Sequence, residues 1–323
     1  MDDLRVGVVG LGGIGHVHID GWRKLGARVV GYDDVGEARD RVAASLGADS
    51  VADSRQDLLD RVDVVDICTP TDAHADSAIE AAAAGCAVIV EKPLARTLQQ
   101  ADAIIQACQR HGVRLFVAHV VRYFQDYVAA KAQVEAGTVG TPAVLRFTRE
   151  GASPPLDKWM HDPERSGGIV ADLMIHDIDI ARWIAGDVVR VYGSLLRPVG
   201  PHRSPTHGYA VLTHASGAIT HLTSSWAAEG VPWRTSFEIA GSAGLVANAL
   251  DNSRVLRVAP PDLAAHAGPL LEEPPWTTQL RDFATALRDG TEPRVTAEDA
   301  RTALAIALAV NESAATGKAV EVA

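Results

Sequence analysis

Short apolar runs at 6–9, 28–32, 62–68, 87–90 and 114–118 alternate with amphipathic stretches at 16–25, 37–46, 75–84 and 98–111. The runs have the length of strands buried on both faces, and the stretches carry the three-to-four-residue spacing of helices. This alternation predicts an α/β domain over residues 1–120, a Rossmann-type doubly wound parallel sheet with helices on both faces. Ligands of such sheets sit beyond the carboxyl ends of the strands. Gly10, Asp33, Thr69-Pro70 and Glu91-Lys92-Pro93 fall there.

After residue 120 the pattern changes. A helical stretch at 126–136 precedes strand-like segments at 143–149, 188–195, 208–214, 218–224 and 235–240, with further helices at 169–185, 278–288 and 297–317. Strands in succession imply a mostly antiparallel open sheet, with a hairpin at Ala215-Ser216-Gly217. Residues 121–323 are therefore expected to form an α+β domain that binds substrate and oligomerises. A half-apolar sheet face left in water is costly, so a second copy of the chain should cover it, giving a homodimer or homotetramer. The stretch bracketed by Pro260-Pro261 and Pro274-Pro275 is expected to be a surface loop.

The first apolar run turns directly into Gly10-Leu11-Gly12-Gly13-Ile14-Gly15, a G-x-G-x-x-G sequence between strand and helix. Gly10 permits the tight turn, Gly12 lets the backbone approach a pyrophosphate, and Gly15 lets the helix pack close to the sheet. Asp33 follows 18 residues beyond Gly15 at the end of the second run, placed to accept from both adenosine ribose hydroxyls. A 2′-phosphate there would meet Asp33 and the adjacent Asp34, so NAD is preferred to NADP. Arg39 weakens that preference without reversing it.

Length and charge narrow the classes further. A chain of 323 residues exceeds one ordinary core and fits two domains. The net charge of −11, with no basic cluster, argues against nucleic acid. No apolar stretch is long enough for a bilayer. The first strand begins by Leu4, so a cytoplasmic protein without a leader is expected. Cys68, Cys86 and Cys108 fit neither a disulfide framework nor a zinc site and read as buried thiols.

Candidate chemistry gathers in two places. Lys92 sits at a strand's carboxyl end before a proline; it is either a solvated lysine or a donor to a substrate hydroxyl. Asp172 and His176 stand four apart on one expected helix and share a face, with Asp179 three further on. A histidine between carboxylates suits acid–base work, but a satisfied charge cluster at a helix N-terminus, or a metal site, fits the spacing equally. His74, His119, Tyr123 and Trp159 can line the crevice or simply pack. Trp226, Trp233 and Arg234 can form a sugar-stacking wall or belong to the core.

On these residues the chain resembles the Gfo/Idh/MocA oxidoreductases from end to end. The likeness rests on the glycine motif, Cys68-Thr69-Pro70, Glu91-Lys92-Pro93, Arg122-Tyr123, Trp159, Gly167-Gly168 and the D-x-x-x-H pattern of Asp172 and His176. The resemblance implies hydride transfer between NAD and the hydroxyl or ketone of a sugar, cyclitol or related polyol. It implies that Lys92 orients the reacting oxygen, that His176 is the acid/base, and that Asp172 assists it, with no metal. Thr69, Pro70, His74, Glu91 and Lys92 join Gly10, Gly12, Gly13, Ile14, Gly15 and Asp33 around the cofactor. Arg122, Tyr123 and Trp159 join Lys92, Asp172 and His176 around the substrate, and the Lys92–Pro93 bond is cis. Met174 stands where the family has glycine, which implies a narrower pocket. Two other activities fit the scaffold: an NAD-dependent glycoside hydrolase working by transient oxidation and elimination, and a non-catalytic NAD-bound sensor.

Overall fold

The computed structural model describes residues 3–47, 50–155, 157–196, 206–227, 230–248, 256–259 and 273–322. The expected surface loop at 260–273 falls almost wholly outside the described residues, as do most of 201–206 and residues 228–229. The chain divides into two compact units, Met1–Tyr123 with Glu272–Arg301, and Phe124–Leu271 with Thr302–Ala323.

The first unit holds strands β1 (Arg5–Val9), β2 (Arg28–Tyr32), β3 (Val64–Ile67), β4 (Ala87–Glu91) and β5 (Leu115–Ala118). They form one parallel sheet in the order β2-β1-β3-β4-β5. The chain order reverses between β1 and β3, which is the switch point where such sheets open to a ligand. Helices α1 (Gly13–Lys24), α2 (Gly36–Leu46), α3 (Arg55–Leu59), α4 (His74–Ala83) and α5 (Leu98–His111) link the strands. Thr97 caps α5 by accepting from the Gln100 N–H, and Gly112 ends it at φ 65°.

The expected boundary at residue 120 needs one correction, because 272–301 returns to the first unit. Numbered in chain order, its helix follows α6 (Gln125–Glu135), α7 (Pro163–Ser166) and α8 (Ile175–Ala185) as α9 (Pro275–Asp289). Leu280 and Phe283 of α9 enter the core beside Ile19, Trp22 and Phe116, with the Phe116 and Phe283 rings 5.2 Å apart. Burying that apolar face of α9 is worth more than chain continuity, since each fully buried Leu or Phe side chain contributes about 1.5–3 kcal/mol.

The second unit is built on an eight-stranded sheet. Its strands are β6 (Pro142–Ala152), β7 (Val188–Leu196), β8 (His207–His214), β9 (Ile219–Ala227), β10 (Arg234–Gly241), β11 (Leu245–Asn248), β12 (Leu256–Ala259) and β13 (Val320–Glu321). The order is β12-β11-β10-β6-β9-β8-β7-β13, antiparallel except where β6 runs parallel to β9. The expected hairpin joins β8 to β9, with Gly217 at φ 86°. Helices α6, α7 and α8 accompany the sheet, together with the part of α10 (Ala297–Thr316) from Thr302 onward.

Candidate active site

At the end of β1 the backbone leaves no choice of residue. Gly10 has φ +95°, and a Cβ there would lie 2.7 Å from the Cys68 carbonyl and the Thr69 nitrogen. A Cβ on Gly15 would lie 2.0 Å from the Gly10 carbonyl oxygen. Gly12 and Gly13 differ: a Cβ on either would meet nothing within 4 Å, so that side of the turn is open. Gly12 caps α1 without any side-chain hydrogen bond, leaving first-turn N–H groups for an anion. Ile14 packs on the core behind the turn.

Asp33 is oriented by the backbone. Its Oδ2 accepts from the Leu11 N–H at 2.7 Å and its Oδ1 from the Val35 N–H at 2.9 Å. Each carboxylate oxygen keeps a second lone pair for a diol. Arg39 donates to the Asp33 carbonyl and lies 5.7 Å over the Tyr32 ring, while Asp34 accepts from the Tyr32 hydroxyl and pairs with Arg55. At the end of β3, Thr69 Oγ1 is buried with no hydrogen-bond partner among the described residues. An open glycine turn, a poised carboxylate and an unpartnered buried hydroxyl fit a dinucleotide.

The Glu91-Lys92-Pro93 turn closes this edge. Its Lys92–Pro93 peptide is cis, Lys92 is half-buried, and the Lys92 N–H donates to Glu91 Oε2 at 3.0 Å. His74, expected at the cofactor, is instead buried in the fold. Its Nδ1 faces the Pro93 carbonyl at 2.9 Å and its Nε2 the Thr69 carbonyl at 3.0 Å, so the ring ties the two strand-end turns together. Burial holds this imidazole below its ordinary value, against the pull of the two carbonyls.

Arg122 and Tyr123, expected at the substrate, also turn inward. Arg122 pairs with Asp299 at 3.1 Å and donates to the Arg294 carbonyl; the Tyr123 hydroxyl donates to Asp282 at 2.6 Å. Burial, and then the Asp282 charge, push the Tyr123 phenol well above its usual range. Both residues fasten the 272–301 segment within the first unit.

In the second unit the expected helix at 169–185 begins as a π-helical turn, Val170–Met174, and continues as α8. From 166 to 181 every residue is buried except Asp172 and His176, which are half-buried. A stretch this apolar is held by packing, and such packing gives the two half-buried side chains a rigid base. Asp177 points away from this pair and meets Arg149 through two contacts of 2.7 and 3.0 Å, with the Tyr127 hydroxyl beside it. Burial works against the Arg149 charge, but Asp177 overcomes it and raises the guanidinium further. Asp179, expected on the same stripe as His176, is buried at 1 % exposure, so the exposed pair has two members, not three.

The sequence of the first unit matches the family model for an oxidoreductase family with an NAD-binding Rossmann fold over residues 4–119, and residues 127–247 match the GFO/IDH/MocA C-terminal domain. A myo-inositol 2-dehydrogenase from Thermotoga maritima is 32% identical over 328 residues, covering 96% of each chain. The chain belongs to the GFO/IDH/MocA oxidoreductase family. A D-apiose dehydrogenase from Paraburkholderia graminis is 30% identical over 97% of this chain and 88% of its own. Among solved structures, a levoglucosan dehydrogenase in complex with NADH and L-sorbose superposes with a TM-score of 0.89 at 26% identity, covering 100% of both chains.

In this GFO/IDH/MocA oxidoreductase the remaining expected residues divide between core and surface. Met174 is fully buried, its Cε 3.0 Å from where a Cβ on Gly208 would stand, so it fills core volume against β8. Trp226 is buried edge-on to the His161 ring, 5.4 Å away, whereas Trp233 is exposed and covers Gly151. Trp159 stands half-buried on a 3₁₀ turn, Trp159–His161. The sequence reading missed one cluster entirely. His18, Asp66, Cys68 and Glu91 lie together in the first unit, all buried. A carboxylate inside the apolar run 62–68 was the available signal, because a buried charge demands a partner. His18, Asp66 and Cys68 hold ligand-type atoms within 4.8 Å of one another, yet hydrogen bonds already join them.

Proposed function

We propose that the chain is an NAD-dependent dehydrogenase of a sugar, cyclitol or related polyol, with Lys92, Asp172 and His176 as its catalytic residues. One observation carries this reading: in a buried stretch of sixteen residues, 166–181, Asp172 and His176 alone keep access to solvent. Their neighbours on the helix are committed to the core, so nothing in packing requires this pair to be polar. NAD, when bound at the glycine turn, supplies the acceptor for hydride. His176 takes the hydroxyl proton as general base, its ring held by the packed base of α8. Asp172 accepts from a hydroxyl of the substrate and keeps it oriented to the imidazole. Lys92 donates from its ammonium to the reacting oxygen and favours the negative charge that develops there. The glycine turn would hold the pyrophosphate of the dinucleotide and Asp33 its adenosine ribose, while Thr69, Pro70, Glu91 and the half-buried Trp159 would shape the surroundings.

The relatives acting on myo-inositol and D-apiose support a polyol substrate, and NADH in the related solved structure supports the cofactor. The test is a panel of inositols, pentoses and anhydrosugars incubated with NAD and followed at the reduced-nicotinamide band. Net accumulation of NADH is expected; aglycone release from glycosides without net NADH would instead establish the hydrolase. His176→Ala should lower turnover by about 10²–10⁴-fold while NAD affinity holds, and unchanged turnover would remove His176 from the mechanism.

The outer face of the second unit's sheet presents Tyr192, Leu196, Tyr209 and Ile219, with Leu196 at 62% exposure. Cross-strand register puts these side chains on one face, which supports coverage by a second copy. Light scattering on the purified protein should give a dimer or tetramer. A monomer retaining activity would refute that arrangement.

A further inference from the structure

Beneath the Lys92 turn lies a buried chain of charges that the proposed reaction leaves unexplained. His18 stands on α1, three residues past Gly15 of the cofactor turn, and is completely buried. Its Nδ1 donates to Asp66 Oδ2 at 2.9 Å, and its Nε2 makes an ion-pair contact with Glu91 Oε1 at 3.2 Å that is too oblique to count as a hydrogen bond. Glu91 turns its other oxygen to the Lys92 N–H at 3.0 Å. Asp66 is held in place from behind by the Trp22 indole N–H at 2.7 Å and by the Cys68 thiol.

Two carboxylates facing one imidazole in a dry core define its state. A neutral ring would present a lone pair to one carboxylate and leave two buried anions uncompensated. Burial is the largest influence and opposes the charge, yet Asp66 and Cys68 together, through charge and hydrogen bonding, lift the imidazole well above its ordinary value. Burial, in turn, pushes the Cys68 thiol up to about 12. Among the described residues, Asp66, Cys68 and Glu91 are the titratable groups that face His18, from β3, the β3 end and β4.

We propose that His18 is a positioning residue for Lys92: as an imidazolium between Asp66 and Glu91 it fixes the Glu91 carboxylate, which in turn fixes the backbone of Lys92. The helix that opens the cofactor turn is thereby coupled to the strand end that carries the reacting lysine. The functional weight of this coupling rests on the assignment of Lys92 above, but its physical content does not.

The chain has five lysines, so 15N-lysine labelling gives five backbone amide signals, and loss of one in Lys92→Arg assigns Lys92. At pH 7 the His18 ring should show both nitrogens protonated, and the Lys92 amide proton should lie downfield, as expected for a donor to a carboxylate. In His18→Gln the Lys92 amide should move while NADH binding, read by nicotinamide fluorescence, stays unchanged. Turnover should fall by about 10–100-fold with little change in KM for the polyol. Glu91→Gln is the second variant and should reproduce both the amide movement and the fall in turnover. A neutral His18 at pH 7, or a Lys92 amide identical in the wild type and a folded variant, overturns the proposal. Should no polyol be oxidised, the dehydrogenase reading fails, and the amide measurement still decides the coupling.

Discussion

Asp33 shows how much one side chain can carry. Its two oxygens are anchored by the Leu11 and Val35 N–H groups, so the carboxylate is already ordered for the proposed ribose diol. Hydrogen bonds to a charged group contribute about 1.5–3 kcal/mol each. Asp33→Ala should therefore weaken NAD binding by about 10–100-fold and bring NADP closer to parity, as measured by titration of each nucleotide. Equal use of both nucleotides by the unmutated protein would contradict the argument. Such residues were legible because spacing along the chain fixes them: Gly10, Gly15 and Asp33 all lie at ends of local elements. His74, Arg122 and Tyr123 were not. Whether a polar side chain faces a ligand or a neighbouring carbonyl depends on what the fold brings beside it, and for these three it brings Pro93, Asp299 and Asp282.

At the scale of elements, α8 is held by an ion pair on a different side of the helix from half-buried His176. Asp177 is buried against Arg149 of β6 one residue beyond His176, so the pair that fixes the helix also fixes the direction of the histidine. Removing one partner strands a buried charge, at about 3–5 kcal/mol. Asp177→Ala should lower unfolding stability in urea by that amount; a loss below about 1 kcal/mol would mean that water reaches Arg149. The long elements were legible from their periodicity. The two-residue strand β13, the four-residue β12 and the parallel pairing of β6 with β9 were not, since short or mixed pairing leaves no alternation to read. The π-helical start at Val170–Met174 has no periodic signature distinguishable from an ordinary helix over five residues.

Over the whole molecule, the buried His18 ties stability to pH. Its proton is held more tightly in the folded chain than in the unfolded one, whose value is about 6.5. Below that value both states are protonated and the contribution is complete; as pH rises through the raised folded value the contribution is lost. Urea unfolding should show stability falling on the alkaline side of neutrality, by up to about 1.4 kcal/mol per pH unit from this group, and His18→Gln should flatten that limb. A wild-type profile flat from neutrality upward would show that His18 keeps the same proton affinity folded and unfolded. Among the described residues no helix is long and apolar enough to cross a membrane.

The sequence by itself determined the parallel sheet, the glycine turn, the acidic residue at the end of β2 and the short list of candidates holding Lys92, Asp172 and His176. Those features follow from period, length and local sterics, which act between residues close along the chain. Tertiary structure alone decided that 272–301 belongs with the first unit, that Met174 and Trp226 are core, and that Asp179 leaves the exposed pair. It also brought His18, Asp66 and Glu91 together from three separate elements. Burial is a property of what packs against a side chain, and those contacts are set by surfaces far apart in sequence.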